Sequence, residues 1–448
     1  MPNTLKSNER YPDISLSNAW YRRAQGLIPA VTQTLAKGPS QFVDGVAPKY
    51  LVRGKGCRVW DADGNEYLDF SMGVGPISLG YGYPAVDEAI VAQLEDGITF
   101  SLMHPLEVEV AELIREAVPG AECVRFGKTG AEAVSAAVRL ARAFTGRGRV
   151  LCCGYHGWHD WYIGVTDRGL GVPAAVSELT STFDYNDLDS VAAALDADVA
   201  AVVLEPVTFE EPRLDFLGEL RRLCDRAGAL LVFDEMWTGF RLGLGGAQER
   251  FGVQADLACF SKAVANGMPL SVLTGRRDVM QLLEQDVFFF STFGGEALSL
   301  AAAWATLTEL RWKPVFEHLA RLGARLRQGL SALLDALDVD FVACRGLDCR
   351  TLLTFDCSAG DPLVIKSFLQ QELIKRGLLW AGIHNISFSH SEEDIDYALA
   401  AYAEALPLLA EAVRAGDVRS RLRGEPVAPV FRRTTGFNTR PRGAAARP

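Results

Sequence analysis

In Leu230-Leu-Val-Phe-Asp-Glu235, four consecutive apolar residues run straight into two carboxylates. Continuous rather than alternating hydrophobicity suits a strand buried on both faces, as in a parallel sheet covered by helices. The same form returns on either side, in Val150-Leu-Cys-Cys153, Val199-Ala-Ala-Val-Val-Leu204 and Leu257-Ala-Cys-Phe260. The segment Leu214–Gly228 carries Leu217, Leu220, Leu223 and Cys224 at helical spacing and stops on a glycine. It reads as the crossover helix between two of those strands. From about 123 to 262 the chain is therefore α/β, built on a large, mostly parallel central sheet.

Outward from this centre the pattern changes. Residues 49–70 alternate apolar and polar around Asp63-Gly64-Asn65, which predicts two strands joined by a tight turn. Helices are expected at about 84–97 and 105–118, the second with Leu106, Val110, Leu113, Ile114 and Ala117 on one face. Beyond 295 the chain reads as helical over Ala297–Leu310 and Val315–Leu337, then mixed, with strands at Thr351–Phe355 and Ile386–Ser389. The tail from Gly424 is rich in Arg, Pro and Gly and is expected to trail over the surface or be disordered. The parse is an N-terminal piece (1–80), a large α/β domain (81–315), a C-terminal α+β piece (316–423) and a tail (424–448).

Length and composition agree with this parse. At roughly 150 residues per domain, 448 residues make two or three domains with ample apolar material for a core. Lys and Arg number 45 against 56 Asp and Glu, a net charge of 45 − 56 = −11 without a basic block, which argues against nucleic acid. Nine scattered cysteines suit neither a disulfide framework nor a structural zinc site, so no metal is expected and a reducing, cytoplasmic setting is. No run of about 18 apolar residues occurs, so no membrane partner is expected either.

The chemistry gathers at the ends of the apolar runs. Glu205, Asp234 and Lys262 close three successive strands, 29 residues (205 to 234) and 28 residues (234 to 262) apart. Open α/β sheets place ligands at the carboxyl ends of their strands. A buried aspartate there needs a cation, which a metal, a protonated heterocycle or a structural salt bridge would supply. A lysine just after a buried strand is partly desolvated, which favours its free amine as a nucleophile toward carbonyls. Upstream, Phe126-Gly-Lys-Thr-Gly-Ala-Glu-Ala133 opens a strongly helical stretch, and a helix N-terminus is a phosphate cradle. A plain helix cap and a nucleotide P-loop are the rivals, though the P-loop requires glycine where Glu122 stands. Lysine, aspartate and phosphate cradle together describe pyridoxal 5′-phosphate (PLP) chemistry.

The chain resembles the fold-type I, class III aminotransferases, and among them the glutamate-1-semialdehyde 2,1-aminomutase-like branch, over about residues 27–405. The landmarks are Gly56–Asp69, Thr129-Gly-Ala-Glu-Ala133, Tyr155-His-Gly157, Glu205-Pro206, Asp234-Glu235, Thr238-Gly-Phe-Arg241, Ser261-Lys262 and Ser291-Thr-Phe-Gly-Gly295. The resemblance implies PLP as cofactor, with Lys262, Asp234 and Tyr155 as catalytic groups. It implies that Lys262 bonds the cofactor covalently and shuttles the proton, and that Asp234 pairs with the ring nitrogen. Tyr155 and Met236 would face the two sides of the ring, Gly130 and Ala131 would hold the phosphate, and His156 and Glu205 would stand beside the cofactor. Thr292 would reach the phosphate of a partner subunit, which makes a homodimer with shared active sites the expected assembly.

Trp158 is expected as a wall of the substrate pocket, or as packing under a loop, and Lys37 and His384 are taken as substrate-binding. Departures from the branch are informative. Ala131 stands where a hydroxyl residue is usual, and Lys37 where the aminomutases carry an arginine. Gly294-Gly-Glu-Ala297 replaces Gly-Asn-Pro, and the segment Trp380–Phe388 is short. These differences point away from glutamate-1-semialdehyde and toward transfer of an amino group from a small-molecule donor to another carbonyl acceptor, in sugar-related or specialised metabolism. An intramolecular aminomutase is the alternative within the branch. A PLP-fold protein retired from catalysis is the alternative outside it, and the intact Lys262 and Asp234 weigh against that.

Overall fold

The computed structural model describes residues 10–213 and 215–429. They form two compact units, one from 84–314 and the other from the flanking segments 10–83 and 315–429.

The N-terminal segment carries three strands rather than two: β1 (Leu51–Lys55), β2 (Arg58–Asp61) and β3 (Glu66–Asp69), joined as successive antiparallel hairpins. Gly56, at φ +60°, makes the extra turn, a left-handed conformation that glycine adopts without steric cost. The expected turn is present, and the Asp61 carboxylate accepts from the N–H groups of Asp63 (3.0 Å) and Asn65 (2.8 Å).

The larger unit holds seven strands: β4 (Cys123–Gly127), β5 (Arg149–Cys153), β6 (Thr180–Thr182), β7 (Val199–Leu204), β8 (Leu230–Asp234), β9 (Leu257–Phe260) and β10 (Ser271–Gly275). Their order is β4-β10-β9-β8-β7-β5-β6. Neighbours from β9 to β6 are parallel, and β10 runs against both β9 and β4. Every residue of β7, β8 and β9 is buried, which is why those runs are continuously apolar. The crossover helix forms over Phe216–Ala227, buries Leu217, Leu220 and Cys224, and ends on Gly228 at φ +65°.

The order of the strands reverses between β5 and β7. The chain moves outward from β5 to β6, then returns to β7 and continues to β8, β9 and β10. The crevice beyond such a switch point is where open sheets bind ligands.

In the smaller unit β11 (Val342–Leu347), β12 (Arg350–Phe355) and β14 (Ile383–Asn385) make one antiparallel sheet, and β13 (Leu378–Leu379) adds to the hairpins in the order β1-β2-β3-β13. The strand expected at Ile386–Ser389 lies earlier, at β14; Ile386 and Phe388 instead donate to Cys349 O (3.2 Å) and Ser78 O (2.8 Å). Of the tail, 430–448 lies outside the described residues. Its first part departs from expectation by being tied down. Asp44 donates to Glu425 O (3.0 Å), Ala428 to Ser40 O (2.8 Å) and Val427 to Ser367 Oγ (2.9 Å). Among the described residues no helix is long and apolar enough to cross a membrane.

His384 differs from its expected role as a substrate contact. Its side chain is fully buried in the smaller unit, with Nδ1 3.0 Å from Thr351 Oγ1 and Nε2 2.8 Å from Tyr402 Oη. The ring stacks on Trp380 and meets the edge of Phe70. With both nitrogens engaged and no exposed surface it is a core residue. Burial, and then the charge of His390, push its imidazole down to about 3. In the unfolded chain it would protonate near 6.5. Its stabilising effect is thus complete above that value and is lost progressively as the pH falls toward 3. Relative to a His384→Gln variant, the wild type is expected to lose on the order of 2 kcal/mol between about pH 6.5 and 4.5. Urea unfolding of both proteins at the two pH values measures this; parallel pH dependences would show that His384 stays accessible to protons in the folded state.

Candidate active site

Because β5, β7, β8 and β9 run in one direction, the residues that follow them emerge on one rim of the sheet, in the order Lys262, Asp234, Glu205 and Tyr155-His156. Neighbouring strands stand about 4.8 Å apart, so these groups form a row rather than a scatter.

Asp234 is at the centre of the row and only 1% exposed. One carboxylate oxygen lies 2.8 Å from His156 Nδ1, and the other accepts the Met236 N–H at 3.1 Å. The opposite ring nitrogen of His156 lies 3.1 Å from Cys153 O. A carbonyl oxygen can only accept, so Nε2 carries a hydrogen, and the Nδ1···Oδ2 contact needs a second proton between imidazole and carboxyl. Trp161 stacks on the imidazole and Tyr162 meets it edge-on, which fixes its plane.

Glu205 turns its Oε1 to the Tyr155 N–H at 2.7 Å. Burial, then the neighbouring charge of Asp234, raise its carboxyl above the usual range, while the Tyr155 N–H, His156 and Lys262 pull the other way. The turn depends on Gly154 at φ +114°, where an added Cβ would lie 2.8 Å from Glu205 Oε1. Tyr155 is 46% exposed and packs edge-on against Tyr162. Partial burial, then Asp234 and Glu205, push its phenol up. Lys262 follows β9 after one residue, Ser261, and holds φ +48°, an uncommon conformation for a residue with a side chain.

The phosphate cradle is built as a capped helix. Thr129 caps Gly130–Thr145: its hydroxyl accepts the Glu132 N–H, and Glu132 Oε2 accepts the N–H groups of Thr129 (3.0 Å) and Lys128 (2.8 Å). The N–H groups of Gly130 and Ala131 stand at the positive end of this 16-residue helix. A Cβ on Gly130 would sit 2.5 Å from Met236 Sδ, and one on Gly157 (φ +93°) 2.5 Å from Ala131 Cβ. The helix start, the Tyr155-His156-Gly157 turn and the segment after β8 thus converge on one place. That cradle, which a side chain would fill, together with the buried carboxylate and the lysine, fits PLP.

The nucleotide reading does not survive. Lys128 Nζ is paired with Glu296 Oε1 (2.7 Å) and donates to Pro269 O (3.1 Å). Burial works against ionisation of Glu296, but the hydrogen bonds from Lys128 and Ser299 prevail and hold its carboxyl below the usual range. Glu296 also caps Ala297–Trp312. Sequence reasoning missed this residue, and Glu235 as well. Glu235 accepts from Ala247 N (2.7 Å), Gln248 N (3.2 Å) and Thr238 Oγ1 (2.7 Å), and burial pushes it up to about 7.

Thr292 is exposed in the turn closed by Gly294 N–H to Ser291 O. Trp158 is 68% exposed, with His159 edge-on to it. Lys37 is exposed in the smaller unit, where its charge acts on Asp69. Among the described residues no three His, Cys, Asp or Glu side chains are grouped as a metal site.

A seven-stranded sheet with one reversed strand, carrying lysine, aspartate and a capped phosphate cradle on one rim, is the architecture of the fold-type I PLP-dependent enzymes. Within that class the chain belongs to the class III aminotransferases, whose family pattern matches residues 43–385. It is 39% identical over 343 residues to a glutamate-1-semialdehyde 2,1-aminomutase of Acetivibrio thermocellus, covering 71% of this chain and 79% of that protein. It is 34% identical over 406 residues to a 3-aminobutyryl-CoA aminotransferase of Cloacimonas acidaminovorans, covering 88% and 97%. A PLP-bearing structure of the Sphingopyxis sp. MTA144 FumI protein superposes with a TM-score of 0.83 at 29% identity, covering 92% of this chain and 98% of that one. The protein is thus a PLP-dependent enzyme of the aminotransferase and aminomutase family.

Proposed function

We propose that the protein transfers an amino group from a small-molecule amino donor to a carbonyl acceptor in two half-reactions, in specialised or sugar-related metabolism. The observation that carries this reading is the row Lys262, Asp234-His156 and Glu205 beside the capped helix start at Gly130. Bound PLP supplies an exchangeable carbonyl and a ring that delocalises charge. The Nζ of Lys262 holds the cofactor at rest and moves the proton of the reacting carbon. Asp234, held in place by His156, would keep a proton on the ring nitrogen. The amides of Gly130 and Ala131 bind the phosphate, with Tyr155 and Met236 on the two faces of the ring. Glu205 orients Tyr155 through its backbone N–H, and Trp158 borders the substrate.

A homodimer in which Thr292 serves the neighbouring copy completes the reading; the exposed Phe288, Phe290 and Phe293 around it support a buried partner face. Nine cysteines with no disulfide among the described residues support a reducing, cytoplasmic location. The experiment is to offer a panel of amino donors to the PLP-loaded protein and follow its visible absorbance. An effective donor bleaches it and releases a keto product. Bleaching with an isomerised amino product and no keto acid would instead select the aminomutase, which the Acetivibrio relative favours. No response to any donor class would overturn both.

A further inference from the structure

Four residues of helix Gly130–Thr145, spaced as one face, border a surface cavity of about 240 Å³ with the turn that follows Trp158. Its polar lining is Ser135, Arg139, Arg142, His159 and Asp160, with Trp161 at its side. This is smaller than the roughly 300–1,000 Å³ of pockets for drug-sized ligands, and suits a small ion.

The two guanidiniums are held by main-chain carbonyls alone. Arg139 donates to Phe288 O (2.7 Å) and Arg142 Nε to Gly148 O (2.9 Å), and neither has a carboxylate partner among the described residues. Arg142 Nη2 is buried with no hydrogen-bond partner at all. Arg142 as a whole is half-buried, and an acceptor that reached this N–H would recover the free energy of its unmet bond. Burial is the one influence on Arg142, and it works against its charge. Ser135 Oγ accepts from Trp161 Nε1 (2.9 Å) and lies 2.7 Å from His159 Nδ1, which fixes the imidazole at the cavity's edge. Against two guanidiniums stands one carboxylate, Asp160, which leaves an excess of one positive charge.

From these observations we propose that the cavity is a binding site for a small oxyanion of the phosphate type, separate from the cofactor cradle. Arg139 lies nine residues beyond Gly130, about 13 Å along the helix, so an ion there does not share the cradle's amides. The occupant would tie the middle of this helix to the turn 159–161, just past Tyr155 and His156. The proposal does not depend on which substrate the enzyme uses.

The test uses the PLP-loaded protein, so that the cradle is filled, and titrates inorganic phosphate at constant ionic strength set with chloride. Calorimetry and the thermal midpoint are read while the visible absorbance of the cofactor is monitored. One saturable site per chain is expected, with a raised midpoint and unchanged absorbance. Arg142→Gln should weaken it by about tenfold or more, the loss expected for a charge-assisted hydrogen bond. Arg139→Gln, at an exposed position, should act in the same direction without burdening the fold. The proposal fails if both variants titrate like the wild type, if chloride alone reproduces the effect, or if phosphate binds only as the cofactor absorbance falls.

Discussion

Lys262→Ala is expected to lower kcat for every amino donor by a factor on the order of 10⁴, because one amine both bonds the cofactor and moves the proton. The position makes this a clean experiment. Lys262 already holds a left-handed backbone at φ +48°, so alanine inherits the same strain and nothing is added. Thermal unfolding should stay near that of the wild type, while the cofactor becomes removable by dialysis. Lys262→Arg keeps the charge near Glu205 but cannot form the bond, and should be equally inactive. Undiminished turnover in either variant would mean that the amine at the end of β9 is not the reacting group.

Asp234→Ala carries the second large effect, and here activity and stability part company. Asp234 is buried against His156, so removing it strands a buried imidazole as well as the N–H of Met236. Breaking a buried pair by deleting one partner costs about 3–5 kcal/mol. Asp234→Asn retains the shape and an acceptor but not the charge. It should recover most of the stability while kcat remains about 10²–10⁴-fold down. Chemical denaturation and steady-state kinetics on the two variants separate these contributions. If Asn restored turnover along with stability, a neutral acceptor would suffice opposite the ring nitrogen.

Much of this was legible before any coordinates. Strands buried on both faces announce themselves as unbroken apolar runs, and β7, β8 and β9 stand where Val199–Leu204, Leu230–Phe233 and Leu257–Phe260 placed them. Edge strands do not. In β4 only Gly127 is fully buried and Arg125 interrupts the run, so the strand leading into the cradle left no periodic trace. The third N-terminal strand was hidden because one glycine, Gly56, turns the chain inside an otherwise even alternation.

Lys262 and Asp234 could be singled out because strand ends locate them. His384 could not be read correctly, since the partners of its two ring nitrogens, Thr351 and Tyr402, lie 33 and 18 positions away. The partnership of Lys128 with Glu296 spans 168 positions and leaves no mark on local composition. Nor does the pinning of 425–428, whose bonds run to Ser40, Asp44 and Ser367.

The reversed strand β10 has a metric consequence. Val272 faces Phe126 of β4 on one side and Phe260 of β9 on the other, so β10 is the sole layer separating them. Two inter-strand steps make about 10 Å between the strand that launches Thr129-Gly130 and the strand that launches Lys262. The gauge between the two grips on the cofactor is therefore set by backbone pairing, and side-chain choice along β10 can drift without stretching it. A one-residue slip of β10 would leave that gauge unchanged, but would turn each of its buried side chains to the opposite face of the sheet.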